Sequence, residues 1–442
     1  MGTRNLHTSI GPFMLLAFAL RLACSPSLCA ESGAPPPPPT ASKSLSLADA
    51  KRLAFARNWD LLAAKSDVDI AAAQKIVSHE FPNPTLSLST LQINLDNHPA
   101  HTSYGNGFWD RNYDSIFAIN QLFEIGGKRS NRQRSAEAGL KSAQARMADA
   151  RRILDLAVSR AYVAAALAEA NARILLASAT SLRKEAEIAT VRLNAGEISQ
   201  SDKSQIEIAA GRLELDAQSA EAAAKSAKID LEVLLGEQVP TGQWTVIDGL
   251  DQLSSPPALP PTSEAAARRP DLVAAQAARD KANSDLQLQK ALRIPDPTFL
   301  VQYEHQPQDQ PNTLGVGVSF PLPLWNHNRG AIAAAAAARD QAALAAGKIQ
   351  AQINAEITAT QIAYDDALAR FRRYQSELVP RSAEVLKTVS FAYQKGGASL
   401  LDLLVAERND NDVRLASAQA AADTATAIAA RQAALNVFQQ NL

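Results

Sequence analysis

From position 45 to about 80, apolar and small residues recur at helical spacing: Leu47, Ala50, Leu53, Ala54, Leu61, Val68 and Ala71. This predicts one helix, ended by Pro82 and Pro84. The period then drops to two. Leu86 and Leu88 alternate with Ser87 and Ser89, the phase slips near Thr90, and Leu91, Ile93 and Leu95 continue the pattern. A polar loop with Gly105, Asn106 and Gly107 precedes a second predicted strand, from Ile116 to Phe123. From Arg129 to about Asn194 there is no proline and only Gly139, which predicts one helix of exceptional length. A return helix is predicted over 199–235.

The same order then recurs. Pro82-Asn83-Pro84-Thr85 is answered by Pro295-Asp296-Pro297-Thr298. Phe299, Val301 and Tyr303 alternate with Leu300, Gln302 and Glu304. After a loop over 306–312, Leu314, Val316, Val318 and Phe320 alternate with Gly315, Gly317 and Ser319. A second long helix is predicted from Arg329 to about Gln394, interrupted by Gly347 and Pro380. Arg129 and Arg329 lie 200 positions apart, as do Asp202 and Asp402, and Glu207 and Glu407. Asn194-Ala195-Gly196-Glu197-Ile198-Ser199 matches Gln394-Lys395-Gly396-Gly397-Ala398-Ser399 at that offset. A repeat this long exceeds any solenoid period and predicts one architecture built from two halves. The halves are bounded at 45–238 and 263–442, with a linker over 239–262 that carries Pro256, Pro257, Pro260 and Pro261. Trp244 to Ile247 reads as one short strand inside it.

Helix lengths constrain the packing. A helix of ~65 residues is about 100 Å long. The two shorter helices of the first half, about 36 and 37 residues, nearly match it when stacked end to end. Alanine dominates these segments, Ala331 and Ala333 to Ala338 for instance. Small side chains let backbones approach closely, which suits a thin wall of helices. In the strands, large apolar residues take one face and Gly, Ser or polar residues the other. A barrel strand with lipid outside and water inside has this pattern. Open strand edges are not tolerated in lipid, and four strands per chain are too few to close alone. Three chains would give twelve strands. The expected fold is mainly α with a trimeric, twelve-stranded β-barrel continued by an α-helical barrel.

The chain has 442 residues and formal charge −1, so a basic nucleic-acid-binding face is not expected. Residues 1–30 resemble an export signal, with Arg4, an apolar stretch from Ile10 to Leu22 marred by Arg21, and a cut before Glu31. Cys24 and Cys29 both fall inside it, so the mature chain would carry no disulfide; a lipid anchor at Cys24 is the alternative. Residues 31–44 form a Pro-rich leader. His79, His98, His101, His305 and His327 show no metal-site spacing, and no nucleophile motif is present. No enzyme activity, cofactor or bound metal is expected. Trp325 stands where strand gives way to helix, the level of a membrane interface; Trp109 falls in the outer loop.

On the duplicated hairpins, long helices and turns, the chain resembles the outer-membrane efflux duct family of the TolC type, over essentially the whole mature sequence. Phe320-Pro321-Leu322-Pro323-Leu324-Trp325-Asn326-His327-Asn328-Arg329-Gly330 is most similar to its CzcC-like heavy-metal branch. The resemblance implies a homotrimer in the outer membrane of a Gram-negative bacterium, extending into the periplasm. It also implies an inner-membrane pump of the resistance–nodulation–division class and a periplasmic adaptor. Ducts for drugs or for secreted proteins, and a periplasmic coiled-coil scaffold, are the alternatives. The implied adaptor contacts are Asn194, Gly196, Glu197, Ser199, Asp202, Gly396, Gly397 and Ser399. Asp402 matches the family's axial carboxylate and would form a ring of three at the pore constriction. Asp202 would turn toward neighbouring tips. The family's prototype has a second acid three positions beyond the first, where this chain has Val405, and a basic residue four positions before it, where this chain has Ala398. Its full latch of charged links is therefore not expected here.

Overall fold

The computed structural model describes residues 44–91, 93, 114–255, 267–306 and 311–437. The expected export signal, both cysteines, the leader before Ser44, Leu95, His98, His101, the Gly105–Gly107 loop, Trp109 and the proline cluster at 256–261 lie outside them. The described residues belong to one unit that begins at Lys43.

The first predicted helix is two: α1 (Leu47–Arg57) and α2 (Trp59–His79). Asn58 separates them. Its backbone is extended, its N–H still closes α1 on Ala54, and its side-chain oxygen accepts from the N–H groups of Asp60 and Leu61. Its amide donates to the carbonyl of Leu234 at 3.0 Å. One asparagine thus ends a helix, caps the next and ties both to a third; the apolar period runs through it, so the pattern alone hides the break.

Strands β1 (Ser44–Leu45) and β4 (Thr245–Val246) pair in parallel, so the short linker strand exists and has a partner. Beside it Trp244 is buried and stacks on Tyr162, whose hydroxyl donates to the carbonyl of Leu45. The two hairpins, β2 (Thr85–Leu91) with β3 (Asp114–Leu122) and β5 (Thr298–His305) with β6 (Thr313–Ser319), join through β3 and β5 into one antiparallel sheet, order β2-β3-β5-β6. Ile93 falls beyond the end of β2, which shortens the predicted first strand. The register puts Leu88, Phe117, Tyr303 and Leu314 across from one another, and likewise Leu86, Ile119, Val301 and Val316. The opposite face carries Ser87, Ala118, Gln302 and Gly315 in line.

Helix α3 (Lys128–Asn194) runs unbroken for 67 residues. On one flank lie α1 and α2, followed end to end by α4 (Gln200–Leu234). On the other lie α6 (Pro270–Ala291) and α9 (Leu400–Ala434), and beyond these the second long helix. The four-residue α5 (Leu250–Leu253) caps the linker. The stacking expected from helix lengths is therefore present in both halves. Buried Val158, Ala165, Ala172, Ala179 and Ala186 on α3 recur every seven residues, as do Ala210, Ala217, Ala224 and Leu231 on α4. A seven-residue seam winds neighbouring helices left-handed about each other, and small residues on it bring the backbones close.

The second long helix is α7 (Arg329–Arg373), a π turn (Tyr374–Leu378) and α8 (Val379–Gln394) without interruption. Pro380 has no N–H to give, and the ladder shifts: the N–H of Val379 bonds to Tyr374, five residues back. Thr180, the counterpart in the first half, lies in plain α-helix. The proline produces a π turn rather than a helix end.

Both stacked joints use the same closure 200 residues apart. Gly236 takes φ +80° and Asn436 φ +52°. The N–H of Glu237 reaches Glu232, and that of Val437 reaches Gln432. Gly236 is needed for space as well, since a Cβ there would lie 2.5 Å from the carbonyl oxygen of Arg57.

Candidate functional site

At the end of the helices remote from the sheet, two turns of the same construction meet. After α3, Gly196 adopts φ +77°, and the N–H of Glu197 bonds back to Arg192. After α8, Gly396 adopts φ +78°, and the N–H of Gly397 bonds back to Ala392. Nothing lies within 4 Å of a Cβ built on either glycine, so the left-handed conformation alone selects them. Gly397 is not in that region, and Glu197 holds its place in the first turn.

Ser199 and Ser399 then start α4 and α9 through reciprocal capping. The N–H of Asp202 donates to the Ser199 hydroxyl oxygen at 3.1 Å, and the N–H of Ser199 donates to the Asp202 carboxylate at 3.2 Å. The second pair repeats this at 3.2 and 3.0 Å, and the Ser399 hydroxyl donates to Asp402 at 2.7 Å. These bonds from the Ser399 hydroxyl and then its N–H hold the Asp402 carboxyl below its ordinary range. Both acids therefore cap their own helices. They differ in exposure: Asp202 is half-buried and Asp402 is exposed, beside exposed Leu401 and Val405.

The two tips pack against each other. Leu182, Ala186, Ala189, Ile206 and Ala210 from the first half share one apolar cluster with Tyr393, Leu400 and Leu403 from the second, flanked by Ile198 and Ala398. Asn194, Gly196, Glu197, Ser199, Asp202, Gly396, Gly397, Ser399 and Asp402 consequently occupy one end of the molecule. Around them stand residues that sequence reasoning missed. The guanidinium of Arg192 lies 5.2 Å from the Tyr393 ring centroid and pairs with Glu197 at 3.1 Å. Glu185 accepts weakly from Gln394. The Tyr393 hydroxyl, one Glu185 oxygen and one Arg192 nitrogen are buried without hydrogen-bond partners among the described residues. Burial pushes the Tyr393 phenol upward, the nearby carboxylates add to this, and Arg192 opposes it. A Tyr three positions before Gly396, with Leu193 in the matching place, was the available signal.

Further up, α3 and α9 meet along a polar seam. Ser178 donates to Asn411 and Ser181 to Glu407, and from the other side Ser382 on α8 donates to Asp410. No cluster of three His, Cys, Asp or Glu side chains suited to a metal occurs among the described residues, and none of their helices is long and apolar enough to cross a membrane. The arrangement presents charged turns at one end of the molecule.

Comparison with known proteins fits this geometry. The profile of a family described as outer membrane efflux protein matches residues 51–237 and 262–437. The cobalt-zinc-cadmium resistance protein CzcC of Cupriavidus metallidurans is 26% identical over 379 residues, which is 85% of this chain and 86% of that one. Among solved structures, a membrane protein from Pseudomonas aeruginosa aligns with a TM-score of 0.75 at 19% identity, covering 88% of this chain and 92% of that one. CusC aligns at 0.75 and 17% identity, covering 88% and 91%. The MtrE outer membrane channel of Neisseria gonorrhoeae, in its open state, aligns at 0.72 and 19%, covering 88% of each.

Proposed function

We propose, from the premise that this chain belongs to the outer membrane efflux protein family, that three copies close into an exit duct for heavy-metal cations. The protein is an outer-membrane efflux channel. In the proposed assembly an inner-membrane pump of the resistance–nodulation–division class delivers the cations, and a periplasmic adaptor grips the helix tips. The duct itself performs no catalysis and holds no cofactor.

One observation carries the closure. The sheet exposes its apolar face, with Leu86, Leu88, Ile119, Val301, Leu314 and Val316 each more than half exposed, while Ser87, Asn120, Gln302, Gly315 and Gly317 lie on the other. The other face is mainly small or polar but also carries Ile116, Leu122 and Leu300; the more uniformly apolar, exposed face belongs in lipid, and the unpaired edges β2 and β6 must then find partners. A neighbouring copy offers a β6 edge to each β2 edge. The metal cargo is supported by the name of the relative from Cupriavidus metallidurans and by the Phe320–Gly330 segment.

The decisive test is assembly. The purified protein should run as a trimer in mild detergent and fractionate with the outer membrane; a monodisperse monomer with barrel-like circular dichroism would refute the duct. Within that trimer, exposed Asp402 is the proposed constriction. Two charges 4 Å apart in water interact by about 1 kcal/mol, enough to bias conduction without holding a gate shut. Asp402→Asn should lower cation preference and divalent-ion block in single-channel recordings, and Asp202→Asn should do less. Equal, negligible effects would rule out Asp402.

A further inference from the structure

Where the sheet passes into the helices, the chain carries a second apolar surface. Phe81, Phe123, Phe320, Leu322, Leu324 and Trp325 are exposed there, Trp325 to 90%. Phe123 packs edge-on against Phe299 at 5.2 Å, and Phe299 lies on the apolar face of the sheet, so the two surfaces are continuous. Tryptophan at such a boundary fits the depth of lipid headgroups.

The charge at this level is lopsided. Residues 80–81, 123–134, 290–296 and 320–329 contain seven Lys or Arg and three acids. Arg132 holds Glu124 and Lys128 holds Asp296, which leaves Glu80 the one of the three without an ion pair among the described residues. Arg129 stacks over the Phe81 ring at 3.7 Å and donates to the carbonyl of His79, and makes no ion pair among the described residues. Lys290, Arg293 and Arg329 are exposed and make no ion pair among the described residues. The excess comes from both halves of the repeat. Neither long helix has an acid in its first turn or a side-chain cap, whereas α1, α2, α4 and α9 each have both.

We propose that this collar docks anionic phospholipid headgroups of the leaflet that faces the periplasm. Lys290, Arg293 and Arg329 meet the phosphates, and Trp325 with its apolar neighbours meets the first carbons of the acyl chains. The inference rests on the outer-membrane reading above and adds the lipid class. A basic residue near an anionic surface is worth roughly fivefold in partitioning, so three per chain give a readable preference.

The test uses the full mature trimer in mild detergent, offered phosphatidylglycerol and phosphatidylcholine of matched acyl chains, with bound lipid read by native mass spectrometry. The wild type should retain phosphatidylglycerol about fivefold or more over phosphatidylcholine. The triple variant Lys290→Gln, Arg293→Gln, Arg329→Gln should bind both equally, while Arg293→Lys with Arg329→Lys should keep the preference; the trimer mass confirms that each variant folds. An unchanged ratio in the triple variant would overturn the proposal. Release of phosphatidylglycerol by millimolar inorganic phosphate would overturn it too, by showing a free-phosphate site. Insertion into pure phosphatidylcholine vesicles separates the two readings. A wild type that inserts there without a headgroup preference sinks only this proposal, and one that never inserts sinks the duct.

Discussion

Gly196 and Gly396 carry the left-handed residue of their turns, and Gly397 does not. An L-residue pays about 1–2 kcal/mol to adopt that conformation. Gly196→Ala and Gly396→Ala should each weaken the local tip by about that amount, read as faster hydrogen exchange in the turn and the first turn of the return helix. Gly397→Ala should change exchange little, since its Cβ would make only an ordinary contact. Two acids on α9 respond to pH in opposite senses. Asp402 is held below its ordinary 3.8 by Ser399, so its cap contributes above that value and is lost as pH falls through the depressed value. Glu407 is raised above 4.5, first by burial and then by the charges of Asp410 and Glu185, against Ser181 and Arg414. Its contribution is full below 4.5 and is lost as pH rises through the raised value. Glu407→Gln should therefore stabilise the α3–α9 seam at neutral pH and flatten its pH dependence; a variant less stable than wild type at pH 8 and no different at pH 4 would contradict this. The glycine turns were legible at this scale because Gly acts locally; the Ser-x-x-Asp spacing that makes Asp202 and Asp402 caps was a local signal missed beside them. Tyr393, Arg192 and Glu185 were not, because they meet only after α3 and α8 come together.

At the scale of elements, period and proline placed the strands, the long helices and the return helices. Stacking followed from length alone. What the pattern hid were breaks made by one residue whose partner lies far along the chain. Asn58 splits a helix because Leu234 is there to accept its amide. Pro380 shifts the hydrogen-bond ladder without ending the helix, and α9 packs against α7, the π turn and α8 alike. The joint between α6 and α9 depends on Arg269, which is 2% exposed and bonds to Asp271, Glu356 and the carbonyl of Ala434. Arg152 reaches Glu356 and Ala433 from α3. Removing one partner of a buried pair leaves the other uncompensated, at about 3–5 kcal/mol. Glu356 is partly exposed, so Arg269→Ala should sit at or below the lower end, about 2–3 kcal/mol in unfolding free energy. Arg269→Lys should recover little, because one ammonium cannot serve two carboxylates and a carbonyl in the same fork.

For the whole molecule, closure and cargo separate cleanly. In the proposed duct, four strands with an apolar outer face need neighbouring copies whatever passes through the bore, whereas the heavy-metal reading leans on the single segment Phe320–Gly330 and on a relative's name. Deleting the protein should sensitise cells to transition-metal cations more than to hydrophobic drugs. Raised drug sensitivity with unchanged tolerance to several metals would move it to another branch and leave the duct intact. The seven-residue seams of α3 and α4 also bear on how freely this sequence can drift. A helix in a side-by-side wall is held at its flanks and open at front and back, as exposed Val191, Ile208 and Leu215 illustrate. Only the flanking positions carry a volume limit, so most substitutions elsewhere go unpunished, and relatives at 17–19% identity still superpose along most of their length. A saturation scan of α3 should therefore show intolerance pulsing every seven residues through Ala165, Ala172, Ala179 and Ala186. Ala179→Leu should cost about 1–3 kcal/mol through overpacking, while the same change at exposed Ala177 should be close to neutral.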